Sequence, residues 1–138
     1  MTGAGDPSTL ELRDDSTILD SDIIWRRVAP HQIVQLDQNL GRSRASTGAF
    51  DDSSDGTPMS ACLARIVLQR GESAEVALQP FPGFCMVWFT AGFVRSLGLG
   101  VMMSPPPDEH VFVFGKKTKS VTNKLAKQSD WIVAPPKS

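Results

Sequence analysis

The sequence predicts an α+β fold: a single domain on a mixed or mostly antiparallel sheet with short helices. Apolar, β-branched and aromatic runs recur between turn residues, as at 22–28, 59–69, 84–89, 99–103 and 109–114. The helical patterns between them are too short for regular crossovers, which disfavours a parallel sheet. At 138 residues the chain is long enough for one core without metal or disulfide staples.

The densest stretch is Gly83 to Met103, GFCMVWFTAGFVRSLGLGVMM. Phe84 to Phe89 is continuously apolar, which suits a strand buried on both faces. Thr90 then reads as an N-cap, its hydroxyl accepting from an amide one turn on. Phe93, Val94 and Leu97 share one side of a short helix, and Gly98 suits a left-handed stop. Leu99 to Met103 reads as the next strand, ended by Pro105, Pro106 and Pro107. The rival reading, a membrane span, is opposed by Arg95 and by Gly92, Gly98 and Gly100.

Elsewhere the chain is less explicit. Residues 1–20 are rich in Gly, Ser, Thr and Asp and predict a disordered or loosely attached tail; 21–134 form the domain, and 135–138 fray. Asp22 to Val28, DIIWRRV, reads as a first strand stopped by Pro30. Gln32 to Leu36 suits a short strand or a turn of helix. Asn39 to Thr57 reads as one long loop pinned to the core by Phe50, and a loop of that length is functional or mobile. Met59 to Gln69 reads as a single alternating strand. Ser73 caps one or two helical turns that stop before Pro80 and Pro82. Glu109 to Phe114 is a strand, about Val121 to Gln128 a helix, and Trp131 to Ala134 a final strand.

Net charge is −1, so no global field demands a nucleic acid or a membrane. Residues 1–60 carry ten acids and five arginines, whereas 61–138 carry nine Lys/Arg and five acids. The opposed signs fit attraction within the fold or an anion-facing end. Cys62 and Cys85 sit in apolar runs and read as free buried thiols. The first residues lack a charged n-region followed by an apolar h-region, so a cytoplasmic protein is expected. No cofactor or metal is expected, and the partner is open: an anionic small molecule or a protein.

The strongest candidate site is HVFVFGKKTKSVTNKLAK. Lys116, Lys117 and Lys119, with free amides near Thr118 and Ser120, precede a helix and could hold phosphate, and Arg42 and Arg44 could join them. It is not a P-loop, because the glycine pattern is absent. A solvated lysine surface is the alternative, and nucleic acid is disfavoured because no aromatics interleave with the basic face. Asp51, Ser53, Asp55 and Gly56 match the opening of a calcium loop. However, Cys62 stands where the bidentate Glu belongs, so an Asp/Ser/Gly turn is the better reading. Arg26, Ser46 and Glu109 occur in the order of the Arg, Ser-Thr and Glu of ADP-ribosyltransferase-like folds. That gives an alternative as a small transferase or hydrolase acting on a nucleotide-like substrate. A Cys–His pair from Cys62 or Cys85 with His110 is weakened by the apolar setting of both thiols.

The segments IIWRRV, RSRASTGAF, DDSSDGTPMSACL, FTAGFVRSLG and VFGKKTKS resemble a family of small uncharacterised bacterial proteins. There a W-R-R strand is followed by an R-x-S-S-x-A-F block and D-G-x-P-M-S. The resemblance covers most of 22–133 and makes Arg26, Arg27, Arg44, Ser46, Phe50, Met59 and Ser60 matched positions. It implies no activity.

Overall fold

The computed structural model describes residues 13–136. Eight strands and four short helices form one α+β domain. Six strands make an entirely antiparallel sheet: β1 (Ile23–Val28), β4 (Met59–Leu63), β5 (Cys85–Thr90), β6 (Gly100–Met103), β7 (His110–Phe114) and β8 (Asp130–Val133), in the order β6-β7-β4-β1-β5-β8. β2 (Ile33–Asp37) and β3 (Arg42–Ala45) form a separate hairpin. The helices are α1 (Ala64–Gln69), α2 (Ala74–Ala77), α3 (Ala91–Ser96) and α4 (Lys119–Gln128).

The sheet carries apolar side chains on both faces, and this explains the unbroken run in β5. Cys85, Val87 and Phe89 join the larger core, together with Ile24, Val28, Met59, Leu63, Val111, Val113, Phe50 and Leu125. Met86 joins Trp25, Ala64, Val67, Ala74 and Leu78 in a smaller core on the opposite face, with Trp88 against it. Alternation along a strand sends successive side chains to the two cores. Thr90 caps α3 by accepting from Phe93 N at 3.1 Å. Gly98 ends that turn at φ +82, where any other residue would be strained. Among the described residues no helix is long and apolar enough to cross a membrane.

Two expected elements are corrected. The single strand from Met59 to Gln69 is a strand to Leu63 and then helix α1. Alternation predicts Leu68 buried, yet it is 55% exposed, while Ala64 and Val67, three apart, are buried. Ala, Arg, Leu and Gln are good helix formers, and so short an apolar run fits either period. The long loop of 39–57 holds β3 and a 3₁₀ turn, Thr47–Phe50. Asp37 accepts from the amides of Asn39 and Leu40 and closes the hairpin turn before Gly41. Arg42-Ser43-Arg44 lacks apolar alternation and carries no strand signal of its own. Phe50 is fully buried, as expected.

Within the stretch assigned to a loose tail, the first twelve residues lie outside the described residues, and 13–20 are tied down. Arg95 donates to the carboxylates of Asp14 and Asp20 and to the carbonyls of Asp15 and Ile18. Asp15 N donates to Val101 O, so this segment covers the outer edge of β6. A β-carbon on Gly100 would collide with the Arg13 carbonyl. Ile18 is 1% exposed beneath the strap. Arg95→Ala is expected to cost about 1–3 kcal/mol, chiefly from the Ile18 carbonyl left without a donor and the lost ties to Asp14 and Asp20; the Asp15 carbonyl keeps Ile18 N. Amide exchange should accelerate at Asp15 and Ile18 but not in the centre of β1; unchanged exchange would show that the strap holds without Arg95.

Candidate functional site

The lysine turn splits. Lys116 and Lys119 are exposed, but Lys117 turns inward, its side chain 4% exposed. Its ammonium donates to Asp52 Oδ1 at 2.8 Å, Val113 O at 2.8 Å and Gly115 O at 2.9 Å. Those three acceptors saturate its donors, so it has none for a ligand. Burial holds its pKa below the usual lysine value, opposed by Asp52. Thr118 is occupied as the N-cap of α4, accepting from Val121 N. The helix therefore starts two residues earlier than the pattern suggests.

The arginines proposed to join the turn also have structural employment. Arg42 donates to Lys127 O and Ser129 O and faces Asp130, which ties the hairpin to the end of α4. Arg44 is paired with Asp37 at 2.7 Å and donates to Ala45 O. The Arg26 side chain lies between Ile24 and Val28 on the larger-core face, donating to Ala49 O at 2.8 Å and Ser60 O at 2.6 Å. Burial depresses its pKa to about 10, with Arg27 adding to the fall and Asp52 and Asp51 opposing it. It remains a cation at neutral pH, tying the 47–50 turn to β4.

Of the three residues of the transferase reading, Arg26 and Glu109 are held by partners of their own. Ser46 precedes the 3₁₀ turn without a side-chain capping bond. Glu109 accepts from Arg70 Nη1 at 2.6 Å, which pulls its carboxyl below the usual range. Arg26 lines a small cavity with Arg27, Ser60 and His110, and neither Ser46 nor Glu109 lines it with them. The acidic 51–56 stretch is a turn: Asp55 accepts from Thr57 N, Gly56 has φ +91, and Asp52 holds Lys117 and Met59 N. Among the described residues no group of three His, Cys, Asp or Glu side chains is placed to hold a metal.

A different constellation stands on the smaller-core face, beside the cluster that α1 and α2 help to build. Cys62 and His110 are cross-strand partners, and Trp25 is the partner of Cys62 on its other side. Ser60 and Arg27 share the same face one step along, because side chains alternate. The His110 Nδ1–H donates to Ser104 O at 2.8 Å, and its ring meets Phe112 edge-on. That bond fixes the ring and leaves Nε2 for a ligand. Arg27 lies over the Phe81 ring at 4.0 Å from its centroid. Stacking leaves the guanidinium edge available for hydrogen bonding. The cavity beside it, about 30 Å³, has room for a water or one ligand oxygen.

No family model, curated protein or solved structure matches the chain. The residue chemistry alone then selects among the candidates. Arg44, Arg65, Arg70 and Arg95 each hold a carboxylate at 3.1 Å or less. Arg27 is exposed and meets no carboxylate or carbonyl among the described residues. Burial, helped by Glu109, pushes the Cys62 thiol up to about 12, which disfavours the thiolate that a nucleophile needs. Burial raises Cys85 as well. Sequence reading named Arg27, Ser60 and His110 but assigned them to no common site. The missing signal was Phe81, which lies in a proline-rich connection and stacks on Arg27 only once folded.

Proposed function

We propose that the protein is a binding module that recognises an anionic, phosphate-bearing group, with Arg27 rather than the lysine turn as the recognising cation. The observation that carries this reading is the Arg27 guanidinium, which holds no carboxylate and lies over Phe81 beside Ser60 and His110. An arginine fork matches phosphate or carboxylate oxygens two at a time. The Ser60 hydroxyl can donate to a further oxygen, and His110 Nε2 can accept from a protonated one. Binding suits this cluster better than turnover, because it contains a raised thiol and no activated nucleophile. The transferase alternative loses ground with the separate employment of Arg26 and Glu109. Free thiols at Cys62 and Cys85 agree with a reducing, cytoplasmic setting. The family resemblance remains a proposal; of its positions, Arg26 and Ser60 are in direct contact and Phe50 and Met59 are core residues.

The test is a titration of the whole chain with inorganic phosphate and a phosphoserine peptide, followed by NMR. Shifts should concentrate on Arg27 Nε, Ser60 and His110. Arg27→Met should weaken binding at least 10-fold, and Arg27→Lys should restore only part of it. Shifts confined to Lys116 and Lys119, or equal affinity in Arg27→Met, would refute the assignment.

A further inference from the structure

A second cleft lies on the same face of the sheet. Its volume is about 330 Å³, and its floor is made by Trp25 and Trp88, one on each of the paired strands β1 and β5. Leu68 of α1, Glu75 of α2, Ile23 and Ile132 form its walls. The helices over this face are only six and four residues long and leave this part of the sheet uncovered. Ile23, Leu68 and Ile132 are 38%, 55% and 43% exposed. A lone exposed aliphatic residue is ordinary, but three around one cavity make a patch that calls for a partner.

The polar groups of the cleft define that partner. Trp131 donates its indole N–H to Ser43, whereas the indoles of Trp25 and Trp88 meet no acceptor among the described residues. Trp25 is 4% exposed overall, and because Ser129 Oγ is the one buried side-chain polar atom left without a partner among the described residues, the Trp25 indole N–H keeps access to solvent. Glu75 is the one charged side chain in the lining and has no ion pair among the described residues. Nearby, Asp130 is the cross-strand partner of Trp88 but faces Arg42 at 3.6 Å, and Asp22, one residue before Ile23 and on the other face, is held by Arg65. Glu75 is therefore the acid of the cleft left open to a cation. Strand β8 is four residues long, opens on Asp130 and runs into Pro135 and Pro136. Short length, charge and proline blunt an edge against strand addition, so the occupant sits in the cleft rather than extending the sheet.

We propose that this cleft docks a basic segment of a partner protein. A bulky apolar side chain seats against Trp25 and Trp88, peptide carbonyls accept from the free indole N–H groups, and a flanking Lys or Arg pairs with Glu75. Charge complementarity selects a basic peptide, and the indole donors select a carbonyl-bearing chain over a hydrocarbon. The cleft and the Arg27 cavity share Trp25 but no charged side chain, so variants at Glu75 and at Arg27 test the two readings separately.

The probes are acetyl-Lys-Leu-Phe-Leu-Lys-amide and the same peptide with both lysines replaced by glutamate, each titrated into the full chain at low salt. The basic peptide should move the Trp25 and Trp88 indole N–H resonances and bind at least 10-fold more tightly than the acidic one. Glu75→Lys should invert that preference. Leu68→Asp, at an exposed position, should weaken both peptides at least 10-fold without lowering the melting temperature. Arg27→Met should change nothing. Immobile indole resonances at millimolar peptide, or a preference indifferent to Glu75→Lys, would overturn the proposal. So would a concentration-dependent dimer abolished by Leu68→Asp, because the cleft would then be an interface between copies of this chain.

Discussion

Replacing Lys117 by methionine is expected to remove about 3–5 kcal/mol of stability, although the substitution matches the lysine stem and buries no new polar atom. Lys117 Nζ satisfies the carbonyls of Val113 and Gly115 and neutralises Asp52. Methionine leaves those carbonyls without that donor and Asp52 without its closest cation. Arg26 acts on Asp52 coulombically but spends its hydrogen bonds on Ala49 O and Ser60 O. Asp52 also receives Met59 N at 2.9 Å, so the loss propagates into the start of β4. The asymmetry of buried pairs gives a second outcome: Lys117→Met with Asp52→Asn should recover part of the loss, because no uncompensated charge remains. Urea denaturation of the single and double variants measures both. A loss under about 1 kcal/mol in the single variant would place Lys117 at the surface with Lys116 and Lys119, and would return the lysine turn to contention as an anion site.

Lys117 also shows where sequence stops being informative. A lysine between two lysines reads as one more solvated charge, and nothing local announces that it reaches back to strand carbonyls and to an acid 65 residues earlier. The fold was legible wherever a signal was local. Thr90, Gly98 and the two-faced run of β5 each follow from the chemistry of a few adjacent residues, and the structure agrees with each. β2 reads as a short strand or a turn of helix, but its partner β3 was not legible, because Arg42, Ser43 and Arg44 owe their strand to distant partners. Arg42 is tied to the end of α4, and Ser43 accepts from Trp131 Nε1 at 3.0 Å. The same limit applies to function. The composition shows fourteen cations, but only the fold shows which arginines hold carboxylates or carbonyls, and that singles out Arg27 among them. The apolar cleft was hidden for a related reason: Trp25 and Trp88 are 63 residues apart, and their shared face follows from β1–β5 pairing.

Phe50→Ala is the other substitution expected to be severe, at about 3–5 kcal/mol, through lost transfer energy and the cavity left behind. Phe50 is fully buried and meets Phe89 edge-on, with ring centroids 6.2 Å apart. It belongs to a turn of four residues, so little local structure can hold that turn once the ring is gone. The adjacent Ala49 carbonyl accepts from Arg26 Nε, and the chain just beyond holds Asp52 against Lys117. A shift of the turn would therefore loosen two buried cations as well as the apolar contact. The effects of Phe50→Ala and Lys117→Met should consequently fail to add, with the double variant losing at least 0.5 kcal/mol less than the sum. Independent effects would mean that 47–52 is held by two unrelated anchors. Coupling would mean that the acidic turn, the buried arginine and the aromatic core fold as one unit beneath the face that carries Arg27. Arg26 and Arg27 are consecutive on β1 and point to opposite faces. A fault in the Arg26 anchor would then reach the binding face through the backbone of a single strand. Phosphate affinity should fall in Phe50→Ala even at temperatures where the variant is still folded.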